Sequence, residues 1–219
     1  MAQADGAEKE LQVEFIFTDP AEEDTPYVRS LLAGGSLCTA TGADAAGLAA
    51  TVANQVEVGT MIKADGALFG FLSAVSLQRH RADPSVGRLI SLLGSDRVED
   101  GPLRQRLAGL LAPSGGANVG LLLSERMVNT PVQLVPHAVE SLHLDLGWAA
   151  ANAEPAAERA SLTFEWLVLL AHEELLAEGA EAVSLVRGGL PGGGQLLLML
   201  LRPEALAAAV PAMRAVMCD

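Results

Sequence analysis

Two apolar runs that flank Ala64-Asp65-Gly66 constrain this chain's fold more than any other feature. They lie in VGTMIKADGALFGFLSAVSL, residues 58–77. Asp-Gly between apolar runs signals a tight hairpin, because both residues tolerate the backbone such a turn needs. The second run, Leu68 to Leu77, is apolar on both faces. It predicts a central strand, covered on each side, and the cover must come from helices elsewhere in the chain.

The remaining segments supply them. LQVEFIF, Leu11 to Phe17, alternates as a strand does. Thr25 and Pro26 read as the N-cap and first turn of a helix whose face is Tyr27, Val28, Leu31 and Leu32, ending at Gly34. Asp44 to Asn54 predicts a second helix, and Asp83-Pro84 and Asp100-Gly101-Pro102 each open a short one with an acidic cap. In NVGLLLSERMVNTPVQLVPHAVESL, Val119 to Leu123 predicts a buried strand that breaks at Ser124-Glu125-Arg126 and passes through Asn129-Thr130-Pro131 into a helix. From Gly147 to about Ala160 the chain is Ala-rich and polar. Ser161 then opens a strand with Leu162, Phe164, Trp166 and Val168 on one side. AVSLVR and QLLLMLL add two strands around RGGLPGGG, and a helix with Pro203 in its first turn closes the chain. This order predicts one α/β domain over residues 11–219, a mixed central sheet flanked by helices, after a short acidic tail at 1–10.

Half of the 219 residues are hydrophobic, enough for a sizeable core. The net charge of −13 is uneven. Residues 67–112 hold 4 acids and 6 bases, Arg79, Arg81, Arg88, Arg97, Arg104 and Arg106; the rest of the chain is strongly acidic. Such a balance disfavours direct nucleic-acid binding and favours basic partners. Cys38 and Cys218 are far apart, as free thiols of a reducing compartment are. The N-terminus lacks an apolar signal core, and no apolar run reaches membrane-spanning length, so a soluble intracellular protein is expected.

Motifs of chemistry are weak. RGGLPGGGQ joins two strands with no helix after it, so it reads as a hairpin loop rather than a phosphate cradle. Ser124, His137 and Asp145 can be drawn as a triad, but no nucleophile elbow surrounds Ser124. His80, His137, His143 and His172 show no metal spacing. An acyl-CoA site of the acetyltransferase kind needs a Gly-rich turn after the strand that ends near Leu123. Here there is no glycine, Glu125 brings a carboxylate, and Pro131 deletes an N–H. No cofactor or metal is assigned.

VGLLLSERMVNTPVQLVPHAVESL closely resembles the signature of the BCCIP family, a G-L-[LV]-[LV]-S-E-R strand followed by N-x-P-x-Q and a helix. VEFIFTDPAEED, VEVGTMIKADGALFGFLSAVSLQRHRAD and LLLMLLRPEALAAAVPAMRAVM resemble the family's first strand, hairpin and final strand and helix. The resemblance covers roughly Leu11 to the C-terminus. It implies a fold like the GNAT acetyltransferases without their acyl-CoA site, and an adaptor or chaperone in nucleus and cytoplasm. Fungal members attend a basic large-subunit ribosomal protein and help a lipid kinase leave the nucleus. Animal members bind the breast-cancer type 2 susceptibility protein and a cyclin-dependent kinase inhibitor. The family's long acidic N-terminal tail is short here, and its Lys-rich insert is replaced by an Ala/Gly-rich stretch.

Three readings therefore stand: a non-enzymatic chaperone for a basic ribosomal protein that supports ribosome biogenesis and nuclear export, a scaffold in DNA repair and cell-cycle control, and a degenerate acyltransferase. Candidate partner-binding residues are Asp19, Glu22, Glu23 and Asp24, then Glu125 and Arg126 at the strand's end, then Glu173 and Glu174. Glu178 and Glu181 extend the last cluster. Glu125 and Arg126 also read as a structural corner.

Overall fold

A computed structural model describes residues 13–171, 176–187 and 195–217. The hairpin forms as the sequence predicts. Strand β1 (Ile16–Thr18) precedes three helices, α1 (Thr25–Gly34), α2 (Ser36–Thr41) and α3 (Ala45–Ala53). Strands β2 (Thr60–Ala64) and β3 (Ala67–Ser76) follow, joined by Asp65 at φ 49° and Gly66 at φ 78°, the left-handed pair of a tight hairpin turn. Helices α4 (Pro84–Leu93) and α5 (Gly101–Leu110) lead to β4 (Val119–Arg126) and the long α6 (Val135–Asn152). The chain closes with α7 (Ala156–Leu162), β5 (Trp166–Ala171), β6 (Ala182–Val186), β7 (Leu196–Leu201) and α8 (Glu204–Met217).

These strands make one sheet of seven, in the order β1-β2-β3-β4-β5-β7-β6. All neighbours run antiparallel except β4 and β5, which are parallel from Val119↔Trp166 to Leu122↔Leu169. Strand alternation sends side chains to opposite faces. Leu121, Leu123, Phe71 and Val75 join the face covered by α1 to α5. Leu122, Leu72, Leu167 and Met199 join the face covered by α6 and α8. The mixed sheet flanked by helices is thus present, with β3 buried along almost its whole length.

The two acidic caps hold as read: Asp83 accepts from Ser85 N–H at 2.7 Å and Asp100 from Leu103 N–H at 2.6 Å. Asp44 caps its helix in the same way, accepting from Ala46 N–H at 3.1 Å.

Several boundaries differ from expectation. β1 starts at Ile16, not Leu11; residues 11 and 12 lie outside the described residues. Asp24, not Thr25, stands at the N-cap of α1. α2 was not expected: SLCTAT has neither a side-chain cap nor a periodic face to announce it. Ser161 and Leu162 end a helix instead of opening a strand. Leu162 and Phe164 pack on the α6/α8 face, whereas Trp166 and Val168 pack on the other, so the apparent alternation spans a turn of the chain. α6 runs on to Asn152, past Gly147. Glycine costs a helix interior only about 1 kcal/mol, and Leu146 and Ala149 are buried on either side of it. The loop between β6 and β7 falls largely outside the described residues, at 188–194.

Candidate functional site

The end of β4 departs most from its sequence reading. The strand does not break at Ser124; it continues through Arg126, and Leu72↔Ser124, Phe71↔Glu125 and Gly70↔Arg126 are registered pairs with β3. Pleating sends the Glu125 side chain to the α1–α5 face. There its carboxylate lies against Gly35 and accepts from the backbone N–H groups of Ser36 and Leu37, the latter at 3.5 Å. A Cβ at position 35 would fall on that carboxylate, so glycine is what allows the approach. Burial raises the Glu125 carboxyl from 4.5 to about 7, against the two amide donors that lower it. Glu125 is therefore a half-buried latch between β4 and the start of α2.

Strand pairing between β4 and β5 stops at Leu122↔Leu169 although both strands continue. A cavity of about 530 Å³ occupies the space where they part. Leu72, Leu122, Val135, Val139, Leu169, Leu206 and Met213 form an apolar wall, and Ser36, Ser124, Glu125 and Arg126 line it too. Val128 and Val132 also line it and are exposed to 100% and 38%. An apolar cavity of this size with a few polar groups is the usual form of a binding site. Neither bulk composition nor motif signals it, because its lining comes from α2, β3, β4, β5, α6 and α8, far apart in sequence.

Acidic residues divide by environment. Asp19, Glu22 and Glu23 are exposed. Asp24 is turned inward: it is 3% exposed, bridges Lys63 Nζ at 2.7 Å and accepts from Ala21 N–H at 3.2 Å. Sequence reasoning passed over Lys63, and nothing local to Asp24 signals that partner. Glu173 and Glu174 lie outside the described residues. Glu181 is exposed and sits between Arg106 at 3.0 Å and Arg202 at 3.2 Å, which hold its carboxyl below the usual range. The same two guanidinium groups lie 4.2 Å and 3.5 Å from the Trp166 ring centroid.

All six arginines of the mildly basic segment donate within the molecule. Arg79 pairs with Glu158 and Arg106 with Glu181. Arg81, Arg88, Arg97 and Arg104 donate to the carbonyls of Leu111, Gly42, Ala40 and Val98.

The three residues of the drawn triad, Ser124, His137 and Asp145, lie in different settings. Ser124 is exposed on β4, His137 meets the Phe17 ring at 6.3 Å, and Asp145 accepts from Gly59 N–H at 3.4 Å. Burial raises the Asp145 carboxyl to about 6. Among the described residues no cluster of His, Cys, Asp and Glu could hold a metal, and no helix is long and apolar enough to cross a membrane. Cys38 is a buried free thiol, pushed up to about 11 by burial; Cys218 lies outside the described residues.

The BCCIP family model matches residues 10–175, most of the sheet and both helical layers. The chain belongs to the BCCIP family. The protein bcp1 of Schizosaccharomyces pombe is 30% identical over 149 residues, 66% of this chain and 53% of that protein. The BCCIP homolog of Arabidopsis thaliana is 26% identical over 168 residues, 75% of this chain and 50% of that one. The chain thus spans about half the length of the curated relatives it matches. The crystal structure of BCP1 from Saccharomyces cerevisiae superposes with a TM-score of 0.69 at 20% identity, over 95% of this chain and 91% of that one, so the two share a fold. A weaker likeness is to the loading GNATL domain of CurA from Lyngbya majuscula, with a TM-score of 0.46 at 14% identity, over 87% of this chain and 98% of that one.

Proposed function

We propose that this BCCIP-family protein is a non-enzymatic adaptor or chaperone that binds a basic large-subunit ribosomal protein. It would act in nucleus and cytoplasm, in support of ribosome biogenesis and nuclear export. One observation carries the reading. The chain has a net charge of −13 and leaves Asp19, Glu22 and Glu23 exposed, while two of the six arginines of its mildly basic stretch, Arg79 and Arg106, are paired with Glu158 and Glu181. An acidic surface of this kind neutralises Lys and Arg destined for ribosomal RNA and steers their capture. Asp24 contributes through Lys63 to the shape of that surface rather than to its charge.

The test is co-expression with a basic large-subunit ribosomal protein of the same organism. The pair should co-elute and the ribosomal protein should stay soluble. A ribosomal protein that precipitates equally with and without this chain contradicts the proposal.

A small-molecule reading is favoured by one feature, the Glu125 carboxyl near neutrality on the wall of an apolar cavity. Its amide partners in α2 and the contact with Gly35 account for that carboxyl structurally, and the adaptor reading keeps precedence. A scaffold in DNA repair or cell-cycle control would use the same acidic surface. It is distinguished by which partner co-elutes.

A further inference from the structure

The gap between β4 and β5 presents an unused backbone donor. Leu77 N–H donates to Val119 O at 2.9 Å, and Met127 N–H donates to Phe69 O at 2.7 Å. With the unbroken register from Gly70↔Arg126 to Ser76↔Gly120, odd-numbered residues of β4 exchange hydrogen bonds with β3. Even-numbered residues therefore turn their backbone groups toward β5. Gly120 and Leu122 meet β5 there, and the ladder ends at Leu122↔Leu169. Ser124 is the next in line. Its N–H faces the opening gap with no partner among the described residues.

Behind that donor lies the apolar cavity of about 530 Å³, walled by Leu72, Leu122, Val139, Leu169 and Leu206. Exposed Val128 stands at its mouth. A strand end with a spare N–H beside a pocket for a side chain is the arrangement that captures an extended peptide. The chain's overall charge of −13 favours a peptide with basic rather than acidic flanks.

We propose that the gap between the ends of β4 and β5 receives an extended segment of a basic partner protein, which hydrogen-bonds to Ser124 N–H and seats an apolar side chain in the cavity. This rests on the reading of a basic partner and adds where the partner's chain is held.

Two variants address the two halves of the site. Ser124→Pro deletes the donor; residue 124 bonds nothing to β3 through its N–H, so the β3–β4 ladder is kept. Ala171→Trp fills the cavity from β5. Ser124→Ala keeps the N–H and is the control. The probe is a short labelled peptide of alternating lysine and valine, followed by fluorescence anisotropy and by amide exchange at Ser124. The wild-type protein should bind it and protect the Ser124 amide. Ser124→Pro and Ala171→Trp should each weaken binding about ten-fold, and Ser124→Ala by less than about two-fold. If Ser124→Pro does not fold, Ala171→Trp and the exchange measurement decide.

Absent binding, or binding that both variants leave unchanged, overturns the proposal. The ribosomal protein is then titrated against the same variants. If it binds and is indifferent to them, the adaptor reading stands and this site falls. If the peptide binds at Ser124 and the ribosomal protein does not bind at all, the site stands and the ribosomal reading falls.

Discussion

Glu125→Gln should stabilise this protein at alkaline pH. The folded carboxyl titrates near 7 instead of 4.5, because burial against Gly35 disfavours its charge more than the Ser36 and Leu37 amides favour it. Between those two values the unfolded chain has lost the proton and the folded chain still holds it. The unfolded state then binds fewer protons, so stability falls as pH rises through this window. At about 1.36 kcal/mol per pH unit the full loss approaches about 3 kcal/mol above pH 7. Glutamine cannot ionise, yet its oxygen can still accept from the same amides. Its advantage should reach about 3 kcal/mol near pH 8.5 and shrink to about 1 kcal/mol near pH 5.5, with water entry at the cavity mouth lowering both. Urea denaturation of both proteins at these two pH values measures it, away from the isoelectric point of about 4.6. A glutamine variant that is less stable at pH 8.5, or whose advantage does not shrink on acidification, refutes the assignment of Glu125 as a desolvated latch.

Lys63→Met leaves the Asp24 carboxylate buried with only the Ala21 amide, and should cost roughly 3–5 kcal/mol in urea denaturation; a change below about 0.5 kcal/mol would mean the pair is solvated. Leu122→Asp places an unpaired charge at a position 2% exposed, at a cost of several kcal/mol, and should abolish soluble expression; a soluble mutant with a cooperative melt would place that face in water. Calorimetry with acetyl-CoA should show no heat, because the chain after β4 has no glycine to gather phosphate-binding amides and carries Pro131; saturable micromolar binding would revive the acyltransferase reading.

What the sequence made legible was local. The Asp65-Gly66 hairpin, the doubly apolar β3 and the capped helices at Asp83 and Asp100 each carry their own chemistry within a few residues. Elements shaped by distant contacts were not legible. α2 forms where Leu37 and Cys38 can be buried and where Glu125, from β4, accepts its first amides. Ser124-Glu125-Arg126 looks like a strand's end in one dimension, because only pairing with Gly70–Leu72 reveals that the strand goes on. Asp24 reads as one more surface acid until Lys63 arrives beside it from β2. The cavity at the β4–β5 gap is the extreme case, since residues of α2, β3, β4, β5, α6 and α8 line it and no stretch of sequence holds more than a few of them.

If charge captures the basic partner, the rate of association must depend on salt. Stopped-flow mixing of the purified chain with a basic large-subunit ribosomal protein gives the rate at each salt concentration. The rate should fall on the order of ten-fold between low and physiological ionic strength, as the Debye length contracts to about 8 Å. A rate flat across that range, or no complex at any salt, would contradict it.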